Sequence, residues 1–81
     1  MITSIATWSN DDTESRILLS NKTWARIQEG EDYTVEAESW YEGKMYPVTW
    51  TFKDKNFDIN GENGMQCVVS GYLEDLVVEE K

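Results

Sequence analysis

The stretch from Tyr33 to Lys53, YTVEAESWYEGKMYPVTWTFK, constrains the fold more than any other part of the chain. Two runs of alternating polar and apolar residues flank the dipeptide Glu42-Gly43. Such alternation is the signature of a half-buried strand, and a two-residue loop containing glycine is a common hairpin connection. With Glu42-Gly43 as the turn, Trp40 opposes Met45, Ser39 opposes Tyr46, Glu38 opposes Pro47, Ala37 opposes Val48, Val35 opposes Trp50 and Tyr33 opposes Phe52. One face then carries Tyr33, Val35, Ala37, Tyr46, Val48, Trp50 and Phe52. The other carries Thr34, Glu36, Glu38, Thr49 and Thr51, together with Trp40, Met45 and Pro47. Both strands agree on the core side, and a slip of one residue would destroy that agreement. Pro47 falls at a non-hydrogen-bonded pair with Glu38, so its missing N–H concerns the other neighbour. There the sheet is expected to be open or bulged.

The rest of the chain extends this pattern into a mainly β fold. Ile2 to Trp8 reads as a strand, as do Lys22 to Ile27, Met65 to Ser70 and Val77 to Glu79. Asp12 to Leu19 begins with cap-type residues that suit a short helix, while RILLS within it suits a strand equally well. KDKNFDINGENG reads as a long polar loop, and Leu73 to Leu76, after Gly71, as one turn of 3₁₀ helix. Short strands with tight turns in a chain of 81 residues point to a small antiparallel barrel or curved sheet. Neither a repeat nor a linker divides it, so residues 1–81 read as one domain.

Sixteen acidic against seven basic residues give a formal net charge of −9. Such a field repels nucleic acid and anionic membranes and attracts basic protein surfaces, so the expected partner is a basic protein. Glu29, Glu31, Asp32, Glu36, Glu38 and Glu42 form one run without an intervening base. Hydrophobic residues at 40%, with four Trp, four Tyr and two Phe, make the chain too apolar for a disordered tail. A lone cysteine, Cys67, excludes an internal disulfide and reads as a small buried hydrophobe; with no signal peptide or apolar span, a cytoplasmic location is expected.

Catalytic signatures are absent. The chain has no histidine, and no phosphate loop, nucleophile elbow or metal-ligand spacing, so neither an enzyme nor a cofactor is expected. DKNFDINGENG superficially looks like a calcium loop. It lacks glycine at the sixth position and glutamate at the twelfth in either register, starting from Asp54 or Asp58. Lys22, Trp24 and Arg26 would share one face of a strand and could stack single-stranded nucleic acid, against the field of the whole molecule. The strongest candidate is the outward patch of Trp40, Met45 and Pro47, ringed by Glu36, Glu38 and Glu42. It has the composition of a protein-binding hot spot with an acidic rim; the alternative is a loop or the N-terminal segment covering Trp40. Glu29, Glu31 and Asp32 form a secondary acidic cluster.

From residue 28 onward the order of features resembles an SH3-like small β-barrel. EGEDYTV resembles the turn into that fold's second strand, WYEGKMY the aromatic pair opening the third, and GYLEDLVVEE the 3₁₀ turn and closing strand. The same pattern resembles small phage proteins of this barrel type. The chain departs from SH3 modules by lacking their ALYDY segment and their Pro-Ser-Asn-Tyr-like turn. The resemblance implies a barrel, with Trp40 at the position that contacts proline-rich ligands. Three functions are therefore expected as rivals. The first is a phage-type, monomeric acidic protein that binds and inhibits a basic host protein, as a DNA mimic where that protein ordinarily holds nucleic acid. The second is a peptide-binding module using Trp40. The third is a structural protein that self-assembles through an open edge near Pro47.

Overall fold

The computed structural model describes residues 3–61 and 68–80. Strands β1 (Thr3–Asn10) and β2 (Thr13–Ser20) lead into helix α1 (Asn21–Gln28). Strands β3 (Tyr33–Tyr41), β4 (Lys44–Lys53), β5 (Asn56–Gly61) and β6 (Val69–Tyr72) follow, then a 3₁₀ turn over Leu73–Asp75 and strand β7 (Val77–Glu80). They form one seven-stranded antiparallel sheet in the order β6-β5-β4-β3-β2-β1-β7.

Chain length alone requires this sheet to curl. The outermost strands β6 and β7 would stand roughly 29 Å apart in a flat sheet, at ~4.8 Å per strand. The segment from Tyr72 to Val77 reaches at most ~18 Å even fully extended. The sheet therefore bends into a half-barrel that brings its two edges together. Trp8 on β1 and Phe57 on β5 confirm the closure: their ring centroids lie 5.3 Å apart although three strands separate them. The result is a small antiparallel half-barrel, compatible with the SH3-like resemblance.

The concave face holds the core, built from alternate residues of each strand: Ala6, Ile17 and Leu19 on one side, Val48, Trp50, Phe52, Phe57 and Ile59 on the other. Trp50 stacks on Phe52 and on Phe57 at 5.7 Å. Gly71 faces Phe57 across β5 and β6, and a Cβ there would lie 2.6 Å from the ring. Any larger residue would have to displace an aromatic from the core.

The hairpin register is as the parity argument predicts, pair for pair from Tyr33–Phe52 to Tyr41–Lys44. Glu42 and Gly43 both take positive φ, 47° and 81°, the geometry of a type I′ turn that matches strand twist. The pairing of β4 with β5 is described from Lys53–Asn56 to Val48–Gly61, and the position that would face Pro47, where an open or bulged edge is expected, lies outside the described residues. Tyr33 departs from expectation: at the strand end it is 36% exposed instead of core.

Two other expectations are corrected, and the choice left open over Asp12 to Leu19 is decided. Residues 22–27 are helical, because Ser20 accepts a hydrogen bond from the Thr23 amide at 3.1 Å as N-cap, and Trp24 and Ile27, three apart, bury one stripe. The helix ends in a Schellman motif. Gly30 (φ 99°) donates to the Ile27 carbonyl and the Glu31 amide donates to that of Arg26. Residues 13–20 are strand, with burial alternating from Thr13 to Leu19. Finally, KDKNFDING is no loop: Asp54 and Lys55 form a tight turn with positive φ, and β5 follows with Phe57 and Ile59 in the core. The expected strand over Met65 to Ser70 is described only from Val68 and begins pairing at Val69; Cys67 lies outside the described residues. The 3₁₀ turn falls where expected.

Candidate functional site

β2 and β3 begin as a paired ladder and then part. Thr13–Tyr41, Glu14–Trp40, Ser15–Ser39 and Arg16–Glu38 are in register, and beyond Arg16 the two strands no longer pair. Where they are paired, two buried serines hold them. Ser15 Oγ donates to Ser39 Oγ at 2.6 Å, and Ser39 Oγ donates to the Glu14 carbonyl at 3.2 Å. The parting has a steric cause. The chain leaves β2 at Ser20 and returns at Tyr33 through α1, whose Trp24 and Ile27 enter the core, with Trp24 edge-on to Phe52 at 6.5 Å. A helix is ~10 Å across with its side chains, about twice a strand spacing, so strands that receive one at their ends diverge.

The divergence leaves a concavity of ≈ 720 Å³ on the convex face, a volume within the range of ligand sites. Ile17, Val35 and Ala37 look into it from the core side, while Leu18, Trp40 and Met45 form its outer apolar wall. Those last three are 62%, 49% and 51% exposed, so three large apolar side chains meet solvent at one opening. Glu14, Glu36 and Glu38 stand around the same opening, against the single base Arg16. Arg16 and Glu38 are cross-strand partners, yet the one ion pair within 4.0 Å among the described residues is Arg26–Glu31, at 3.0 Å on the helix side.

Four of the six residues expected from sequence line this concavity: Glu36, Glu38, Trp40 and Met45. Pro47 lies in a neighbouring, smaller depression of ≈ 350 Å³ that shares Glu36, Ala37 and Glu38 with the first. Glu42 lines neither; its place is the hairpin turn. Nor does the secondary cluster join the site, since Glu29 caps the helix and Glu31 and Asp32 border a separate small hollow beside Arg26 and Tyr33. The expected stacking face of Lys22, Trp24 and Arg26 dissolves: on a helix, residues two apart point in different directions, and Trp24 is buried. The contribution of β2 went unrecognised, because Glu14, Arg16 and Leu18 reach this face only once TESRILLS is a strand. Four polar residues followed by Ile17, Leu18 and Leu19 give that segment no polar–apolar alternation to mark it as a strand.

Trp40 stands uncovered, so the site has an aromatic anchor, apolar walls and a carboxylate rim. It contains polar groups suited to holding a cation and apolar surface suited to a side chain or extended segment. Among the described residues no cluster of three His, Cys, Asp or Glu side chains could hold a metal ion, and no helix is long and apolar enough to cross a membrane. Comparison with protein-family models, with curated proteins and with solved structures returned no match for the chain.

Proposed function

We propose that the chain is a non-enzymatic, acidic binding protein that docks on a basic surface of another protein through the convex face of β2, β3 and β4. One observation carries this reading: an exposed tryptophan, a leucine and a methionine share a single opening with three carboxylates, in a molecule of net charge −9. Buried aromatic anchors supply most of the energy of protein interfaces, and a charged rim supplies steering and partner choice. Trp40 is the anchor, Met45 and Leu18 extend it, and Glu14, Glu36 and Glu38 select a cationic partner.

The reading extends to a phage-type protein acting on a host protein in the host cytoplasm, blocking or redirecting it. Small size, acidity and the SH3-like resemblance support that extension. Where the target's basic surface ordinarily holds nucleic acid, the carboxylates compete with phosphates for it. A second reading, in which Trp40 grips a peptide as SH3 modules do, draws on the apolar wall alone. The two differ in salt dependence, because exposed charge pairs weaken within a Debye length of ~8 Å at physiological salt whereas apolar contacts do not.

The test is affinity capture from a bacterial lysate at low and high salt, with the native chain, Trp40→Ala, and the double variant Glu36→Lys/Glu38→Lys. The expected result is a basic protein recovered at low salt, diminished at high salt and lost with either variant. Recovery of the same protein by all three chains would place the binding surface elsewhere.

A further inference from the structure

The parted strands expose more than side chains. A two-residue hairpin closes on a hydrogen-bonded pair, here Asn10–Thr13 in one hairpin and Tyr41–Lys44 in the other. Counting along β2, Thr13, Ser15, Ile17 and Leu19 direct their backbone groups to β1, so Glu14, Arg16 and Leu18 direct theirs towards β3. Counting along β3, Ser39, Ala37, Val35 and Tyr33 serve β4, and Trp40, Glu38, Glu36 and Thr34 point towards β2. The two counts agree without adjustment: Glu14–Trp40 and Arg16–Glu38 are the hydrogen-bonded rungs of the β2–β3 ladder. The next rung would be Leu18–Glu36, and it is not formed. The N–H and C=O groups of Leu18 and Glu36 therefore face each other across the ≈ 720 Å³ opening as two facing strand edges. Unpaired strand edges are templates for another strand.

We propose that the seam between β2 and β3 is a strand-insertion site, which receives an extended cationic segment of the partner and hydrogen-bonds its backbone to Leu18 and Glu36. This rests on the reading of the acidic face as the partner surface, and it adds how that face recognises its ligand. An inserted strand alternates its side chains. One parity turns inward onto Ile17, Val35 and Ala37 and must be small and apolar; the other turns outward among Glu14, Glu36 and Glu38 and must be cationic. Arg16 stands at the closed end of the seam, so the cations gather at the Glu36 end. Charge decides the occupant, since a second copy of a chain carrying −9 would bring like charge to an acidic opening.

The probe is a synthetic seven-residue peptide alternating Lys and Val, compared with a block peptide of the same composition and with the alternating peptide N-methylated at every second amide. Binding is read by titration calorimetry, and amide hydrogen exchange of the protein is followed by NMR. Insertion predicts that the alternating peptide binds at least ten-fold more tightly than the block and N-methylated peptides. It also predicts that exchange at the Leu18 and Glu36 amides slows at least ten-fold on binding, while the Ala37 amide, already paired with β4, is unchanged. Equal binding of all three peptides with no change at those two amides would overturn insertion and leave the acidic docking surface standing. Failure of every peptide to bind at low salt would overturn both.

Discussion

The β3–β4 hairpin and the β2–β3 seam share strand β3, yet the first pairs along nine positions and the second stops after four. Turn chemistry accounts for the first. Glu42-Gly43 sets the register, and alternate pairs such as Ala37–Val48 and Val35–Trp50 put an apolar residue of each strand on the concave side, so the ladder is stabilised by the burial beneath it. The second pair has no turn between its strands. Its connection is a helix that must be accommodated, and pairing persists one position beyond the Ser15–Ser39 contact, to Arg16–Glu38, before the strands separate. A ladder closed by its own turn thus becomes scaffold, while a ladder closed at a distance leaves an edge that another molecule can use.

Hydrogen exchange gives the largest measure of that contrast, because it reads alternate amides of one strand. The Ala37 amide, paired with β4, is expected to exchange only through large-scale unfolding, at least ~10³-fold more slowly than the neighbouring Glu36 amide facing the seam. Equal protection at both would mean that the seam is closed in solution.

Substitutions grade the same contrast energetically. Trp50→Ala removes a fully buried indole packed on Phe52 and Phe57 and should cost about 3–5 kcal/mol in denaturant unfolding. Ser39→Ala leaves the buried Ser15 hydroxyl without its partner, at a cost of about 1–2 kcal/mol, and should also speed exchange at Arg16 and Glu38. A loss of stability that leaves those two amides protected would show that the serines are packing residues without a part in clamping the ladder. Glu42→Asn should stabilise by about 0.5 kcal/mol, since asparagine tolerates positive φ better than glutamate. Trp40→Ala should change stability least, within about 0.5 kcal/mol, while abolishing partner capture. A larger destabilisation would make Trp40 a structural residue.

Legibility in the sequence followed the distance over which each feature is determined. The hairpin was readable because turn and alternation sit side by side, and so were Glu36, Glu38, Trp40 and Met45 on its outer face. Helix α1 reads as a strand because Thr23, Trp24 and Ile27 are strand-favouring residue types; the cap at Ser20 and the glycine at position 30 are the local signals that outweigh them. Strand β5 was hidden because Asn, Asp and Gly surround Phe57 and Ile59 with turn-forming composition, and burial of two aromatic and aliphatic side chains overrode that preference.

The sequence by itself determined the alternation, the Glu42-Gly43 turn, the hairpin register and the acidic charge, all of which depend on neighbours along the chain. Only the tertiary structure decided how far β2 and β3 stay paired, which residues of β2 join Trp40, and that the sheet curls until Trp8 meets Phe57. Those outcomes depend on fitting a helix and seven strands around one core, a competition for space among segments remote in sequence, and no local pattern records who gives way.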